Sequence, residues 1–326
     1  MCTRVIYETG YNTYMVGRNA DWNDKDVDGV LWLFPRGMER EKTVGDNPVS
    51  WTSKYGSVSL CMYGNVAADG MNEEGLVCNL NFLAESNFGD PNRSGRPSIS
   101  IGAWLQYVLD NFKTVAEAVE TLGPDPYTVV GGKFGNGRPI SVHWSVSDAT
   151  GDSAIFEYID GTLQIHHGRE YKVMTNSPPY DEQIAINAYW DLIGGDRMLP
   201  GTISAADRYV RASYTLKSMP KWDNRREALA AIFAQMRAVS VPCADMGGDP
   251  DKPNLAMTMY RMFSDSDTKK YYFDNIWDPS VFWIDLKSAD LSESAKPSKL
   301  LVSGKSDLAG DVTAQLEPAE PYEFIK

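Results

Sequence analysis

The chain has 326 residues, 43% hydrophobic and 11% aromatic, the make-up of a globular protein with a sizeable core rather than a disordered or collagen-like one. Its formal net charge is −13 and its pI about 4.7. With Lys and Arg scattered rather than clustered, such a surface repels nucleic-acid phosphates and anionic lipid headgroups, so neither nucleic acid nor a membrane is expected as a partner.

In chain order, residues 3–9 and 14–18 read as two strands flanking the Gly10-Tyr11-Asn12 turn, a β-hairpin. Apolar or alternating runs follow at 30–34, 55–63 and 75–83. Residues 100–113 carry apolar positions at helical spacing. Thr114 with Glu117 then forms a capping box for a second helix, and Gly123 is its stop. A second strand block covers 140–148, 153–159, 162–167 and 171–176, followed by helices within 180–193, 205–219 and 224–239. The last strands are 256–263, 269–275 and 281–286. Blocks of strands separated by helices suit α+β layers better than a doubly wound parallel sheet. No repeat and no Gly/Ser- or Pro-rich linker divides the chain, so residues 1–326 are expected to form one domain, two sheets between helices.

Several chemistries drop out. No apolar run reaches the roughly 18 residues that span a bilayer. Polar Thr3, Arg4 and Glu8 follow the start at once, unlike a signal peptide. The expected compartment is periplasmic if a leader preceded this sequence and cytoplasmic otherwise. Only three histidines occur, with no HExxH and no CxxC, so no metal site is expected. No GxSxG elbow is present, and the Gly131–Gly137 stretch fits no phosphate-binding pattern and reads as a loop between strands. His143, in an alternating strand, and His166 and His167, near a hairpin, read as structural. Four cysteines are too few for a disulfide scaffold, and Cys61 and Cys78 in apolar runs read as small buried hydrophobes.

Cys2 differs by position. Once Met1 is trimmed, its own α-amine lies beside the thiol on one residue. An α-amine has an unperturbed pKa of about 7.7–8.0, so it can take the thiol proton and later deliver it to a leaving amine. The Gly17-Arg18-Asn19-Ala20-Asp21-Trp22 run ends the second strand of the proposed hairpin and can lie beside Cys2. Arg18 would favour the thiolate, and Asp21 would accept a hydrogen bond from the amine. Away from Cys2, an Arg and an Asp three apart are an ordinary surface pair.

These residues resemble the choloylglycine hydrolase family of bile salt hydrolases and penicillin V acylases. The carriers are Met1-Cys2-Thr3, Gly17–Asp21, Phe34–Gly37, Asp69–Leu76, Thr175–Pro178 and Ala206–Arg208, spread over nearly the whole chain in the expected order. The resemblance implies a four-layer αββα sandwich of the N-terminal nucleophile hydrolase type, a cysteine nucleophile, no cofactor and a homotetramer. It implies catalytic roles for Cys2, Arg18, Asp21, Asn176 and Arg208, with Asn176 in the oxyanion hole. On the residues alone, Asn176 is equally a turn former before Ser177-Pro178, and Arg208 an exposed helical arginine. The second oxyanion contributor falls on Asn81 by its Asn-Phe pair, on Phe82 by ungapped counting, or on Asn79; Asn81 is preferred.

Two features favour the Gram-negative branch, which resembles penicillin V acylases and also cleaves N-acyl homoserine lactones. The stretch from Tyr180 to Arg208 is short, and Trp22 and Phe82 offer aromatic walls for an acyl group, although Trp22 is equally suited to a core. The expected substrate is thus a small acyl amide, cleaved through a Cys2 thioester. Bile salt deconjugation and a catalytically silent homologue are the alternatives.

Overall fold

The computed structural model describes residues 1–24, 27–40, 44–91, 95–133, 137, 139–242, 256–278, 280–304 and 307–325. Cys243 and residues 134–136 of the glycine-rich loop lie outside them.

Two sheets face each other. The first runs, in spatial order, Val173–Met174, Cys2–Glu8, Tyr14–Trp22, Met257–Asp265, Lys270–Asn275, Val281–Asp285 and Gly310–Asp311. The second is a nine-stranded antiparallel sheet ordered Thr162–His167, Ser153–Ile159, Val142–Ser147, Val77–Phe82, Val66–Asn72, Ser57–Met62, Gly29–Phe34, Ser298–Leu301 and Glu317–Pro318. Between them lies an apolar layer that includes Ile6, Val16, Leu31, Leu60, Phe273 and Ile284. The helices Ile101–Asn111 and Val115–Leu122 cover the nine-stranded sheet through Trp104, Leu105, Trp144 and Phe156. Tyr180–Ile193, Ala205–Ser218 and Arg225–Ala238 cover the seven-stranded one through Val5, Tyr7, Tyr209, Ile232 and Met236. The layers are therefore αββα, as expected.

Strand parity explains how this buries a polar site. In Cys2–Glu8, Ile6 faces the inter-sheet core while Val5 and Tyr7 face the helices. Side chains alternate along a strand, so Cys2 shares the inter-sheet side with Ile6, and Thr3 the helix side. In Tyr14–Trp22, Val16 and Ala20 face inward and Met15 faces the helices, which puts Arg18 inward and Asp21 helixward. Gly17 marks a close approach on the helix side, where an added Cβ would lie 2.6 Å from Met236 Cγ.

The hairpin has the anticipated register, with Cys2 opposite Ala20 and Arg4 opposite Arg18, but its second strand continues to Trp22 rather than stopping near Arg18. It continues because Met257–Asp265 pairs along its other edge as far as Trp22. Val66–Asn72 is a strand that the sequence hides, since Ala, Asp and Gly are poor strand formers. Its packing wins over propensity: a Cβ at Gly70 would lie 2.5 Å from Val58 O of the neighbouring strand. The 171–176 run is strand only over Val173–Met174, and the chain then turns off the sheet at Thr175 and Asn176. The short strands at Ser298–Leu301, Gly310–Asp311 and Glu317–Pro318 also lack a pattern in the sequence. The Thr114 cap is present, its hydroxyl accepting from Glu117 N at 3.2 Å.

Candidate active site

Cys2 opens the hairpin's first strand, 5% exposed, on the inward face. Arg18, also inward and diagonally across the ladder, donates from Nη2 to Cys2 Sγ at 3.3 Å. The same Nη2 donates to Leu80 O at 2.6 Å, and Nε to Asn81 Oδ1 at 3.4 Å. Burial alone would lower the Arg18 pKa, but Cys2 and then Asp69 outweigh it and the net shift is upward. A fixed positive charge therefore touches the sulfur from inside the sandwich.

Asp21 sits on the opposite, helixward side. Its Oδ1 accepts from Thr258 Oγ1 at 2.6 Å, and its Oδ2 lies 3.5 Å from Arg208 Nη1. That Oδ2 is buried and has no hydrogen-bond partner among the described residues. The Thr258 contact arises at an irregularity in the ladder between Thr258 and Tyr260; bulges of this kind re-aim side chains beside functional sites. With Met1 present, the N-terminal ammonium donates to the Asp21 main-chain oxygen at 2.6 Å rather than to the carboxylate. Burial lowers the pKa of that ammonium. Met1 itself packs with Val241, Ala256 and Ile203.

Arg208 is no exposed helical arginine; it is completely buried in the first turn of Ala205–Ser218, whose Ser204 cap accepts from Asp207 N at 3.2 Å. Its Nη1 donates to Cys2 O at 2.6 Å and to Thr3 Oγ1, and its Nη2 donates to Asn176 Oδ1 at 2.8 Å. Burial lowers its pKa, opposed by Asp21 and Cys2. This arginine touches no reacting atom; it clamps the main chain of Cys2 to Asn176.

Asn176 Oδ1 also accepts from Cys2 N at 2.6 Å, the nitrogen that becomes the α-amine once Met1 is gone. Its Nδ2 donates to Phe82 O at 2.7 Å, which engages one of the two amide hydrogens and leaves the second for an oxyanion. Asn81 and Asn79 are committed elsewhere. Asn81 Nδ2 donates to Thr175 O at 2.9 Å, and Asn79 Nδ2 to Asp69 Oδ2 at 2.8 Å. Phe82 fits the second oxyanion position better. Its carbonyl points to the edge where Asn176 lies, and in an extended strand the N–H of the same residue points to that edge too.

Beside Cys2 and Arg18 opens a cleft lined by Trp22, Met62, Tyr63, Leu80, Phe82 and Val142 among others. Trp22 and Phe82 meet edge to face at 6.3 Å, and Trp22 Nε1 donates to Tyr63 Oη at 2.6 Å. Trp22 is a wall of the cleft as well as a partly buried neighbour of the core.

Several further residues support the site. His143, structural as expected, donates to Thr175 O at 3.1 Å through Nε2 and meets Glu157 Oε1 at 2.6 Å through Nδ1. Glu157 Oε2 in turn accepts from Tyr180 N at 2.9 Å. Gln183 Nε2 donates to the main-chain oxygens of Asn176 and Pro178. Together they hold the turn that presents Asn176. The partners lie 5 to 32 positions apart on separate elements, at spacings that follow no motif. Cys61 and Cys78 are buried with thiols raised by desolvation, Cys61 to about 12. Among the described residues no cluster of His, Cys, Asp and Glu could hold a metal ion.

Comparison with known proteins gives a consistent picture. The family model for linear amide C–N hydrolases, choloylglycine hydrolase family, matches residues 2–302. The chain is 39% identical to a penicillin V acylase of Pectobacterium atrosepticum, over 99% of this chain and 92% of that protein. It is 26% identical to a bile salt hydrolase/transferase of Clostridium perfringens, over 89% of this chain and 94% of that one. The structure of penicillin V acylase from Agrobacterium tumefaciens superposes with a TM-score of 0.90 at 46% identity, covering 99% of both chains. A conjugated bile acid hydrolase of Clostridium perfringens shares the fold, with a TM-score of 0.77 at 22% identity over 94% of this chain and 99% of that chain.

Proposed function

Because the chain belongs to the choloylglycine hydrolase family of linear amide C–N hydrolases, we propose that it cleaves acyl amides of the penicillin V and N-acyl homoserine lactone type, with Cys2 as the nucleophile. The observation that carries this reading is the cleft itself, in which an aromatic and aliphatic wall ends directly on Cys2 and Arg18. Such a wall favours an aryl or long-chain acyl group through apolar burial.

In the proposed reaction Met1 has been removed. The α-amine of Cys2 takes the thiol proton, and the thiolate, beside Arg18, attacks the amide carbon. The carbonyl oxygen becomes an oxyanion held by the second Nδ2 hydrogen of Asn176 and the Phe82 main-chain N–H. The tetrahedral adduct collapses, the C–N bond breaks, and the α-ammonium returns its proton to the leaving amine. Water, deprotonated by the amine, then cleaves the thioester, releasing the carboxylic acid and the free thiol. Asp21 Oδ2, buried and unbonded, supports a role as acceptor for the freed amine.

The deciding experiment assays penicillin V, a long-chain N-acyl homoserine lactone, and glycine- and taurine-conjugated bile salts in parallel. Turnover of either of the first two above the bile salts supports the substrate assignment. Preference for the bile salts overturns it and leaves amide hydrolysis standing. The proposal includes a homotetramer; exposed Tyr189, Leu192 and Met198 at and just after the Tyr180–Ile193 helix support assembly, which light scattering tests.

A further inference from the structure

Asp69 opens the Asp69–Leu76 motif, yet no step above uses it. Elsewhere in that motif, Asn72 serves the local turn, its Oδ1 accepting from Glu74 N and Leu76 N. Asp69 instead points between the sheets, 1% exposed. Its Oδ2 lies 3.6 Å from Arg18 Nε and accepts from Asn79 Nδ2 at 2.8 Å. Its Oδ1 accepts from Tyr271 Oη at 2.7 Å. The Arg18 guanidinium thus spans from this carboxylate at Nε to the Cys2 sulfur at Nη2, 3.3 Å away.

We propose that Asp69, held by Tyr271 and Asn79, is a positioning residue for the hydrolysis: it tethers Arg18 and offsets part of that cation's attraction for the Cys2 thiolate. The inference rests on Cys2 being the nucleophile. Its chemical sense is a balance. A buried cation without a counter-charge would hold the thiolate strongly, and a thiolate held too strongly is a poorer nucleophile. Asn79, a sequence candidate for the oxyanion hole, gains a different task, as one of the donors that keep Asp69 in place.

The groups facing the pair are few. Arg18 and Tyr271 face Asp69 from the seven-stranded sheet and Asn79 from its own, and the Cys78 thiol on the helix side of that sheet feels its charge. The charges of the chain's terminal amine and of Arg208 also reach Cys2, and both in turn feel Asp21. Burial raises the Asp69 pKa, opposed by Arg18 and by the Tyr271 and Asn79 hydrogen bonds.

The test is the pH profile of iodoacetamide alkylation at Cys2, read by peptide mass spectrometry on the full chain with Met1 removed. Asp69→Asn keeps the shape and removes the charge. It should lower the midpoint by about one pH unit, about tenfold more thiolate at a given pH below it. The same variant should also lower kcat for the amide substrate. Tyr271→Phe should shift the midpoint the same way by less, and it decides the matter if Asp69→Asn does not fold. A midpoint that stays put or rises overturns the inference, since a purely structural role would cost yield or rate without moving the thiol. A Cys2 that does not alkylate at any pH in the unsubstituted chain would overturn both this inference and the nucleophile assignment.

Discussion

Asn176 Oδ1 accepts a hydrogen bond from the main-chain nitrogen of Cys2 at 2.6 Å, across 174 positions of sequence. The oxygen end of the side chain thus fixes the nitrogen proposed as the base, while the amide end lies beside Phe82 O, where the oxyanion is proposed to form. In the proposed mechanism one residue ties base and oxyanion hole together. Asn176→Ala should lower kcat by about 10²–10³, the usual loss for one oxyanion donor. KM should change far less, and steady-state kinetics on the preferred amide check both.

Arg208 makes a different kind of contribution. It is fully buried and bridges Cys2 O, Asn176 Oδ1 and Asp21 Oδ2. Removing it strands the Asp21 carboxylate in the interior, a change that typically costs about 3–5 kcal/mol. Arg208→Ala should therefore lose stability in a urea melt as well as activity. Arg18→Ala leaves that bridge intact but strands buried Asp69 in its turn, so it too should lose both activity and stability.

The turn that presents Asn176 depends on Glu157. Burial opposes its ionisation, but the hydrogen bond and charge of His143 outweigh that, and its pKa is lowered from the ordinary 4.5. A depressed carboxylate pKa means that the unfolded chain binds the proton more readily. This contribution to stability is complete above the unfolded value and is lost as pH falls through the folded one. Melting temperatures measured from neutral pH down to below 4 should fall more steeply for the unsubstituted chain than for Glu157→Gln.

Trp22 should act on acyl selectivity. Losing its share of the cleft wall removes apolar contact worth about 1.5–3 kcal/mol for a bound aryl or long acyl group. Trp22→Ala should therefore lower kcat/KM for such substrates by about 10- to 100-fold relative to an acetyl amide with the same leaving group. Equal losses on both would assign Trp22 to the core.

The sequence made some of this visible and concealed the rest for physical reasons. The hairpin was legible because the Gly10–Asn12 turn and the flanking alternation are local, and it delivered the pairing of Cys2 with the Arg18–Asp21 run. The cap at Thr114 was legible for the same reason. Val66–Asn72 was not, because its strand forms through close packing at Gly70 against the propensities of its residues. Arg208 entered through the family resemblance alone, because its local pattern is that of an exposed helical arginine and only the start of the Ala205–Ser218 helix over Cys2 buries it. Asn81 looked like an oxyanion donor until its amide was found bonded to Thr175 O. Thr258 and His143 act through partners on other elements that no spacing in the chain announces, and Asp69 stands in a motif that does not reveal its contact with Arg18.

The central claim is that acyl transfer passes through Cys2. The most direct measurement mixes the Met1-free chain with penicillin V, quenches in acid during turnover, and examines the N-terminal peptide by mass spectrometry. A phenoxyacetyl group on Cys2, released by neutral hydroxylamine and absent in Cys2→Ala, is the predicted result. Continued hydrolysis with Cys2 never acylated, or undiminished hydrolysis by Cys2→Ala, would contradict it.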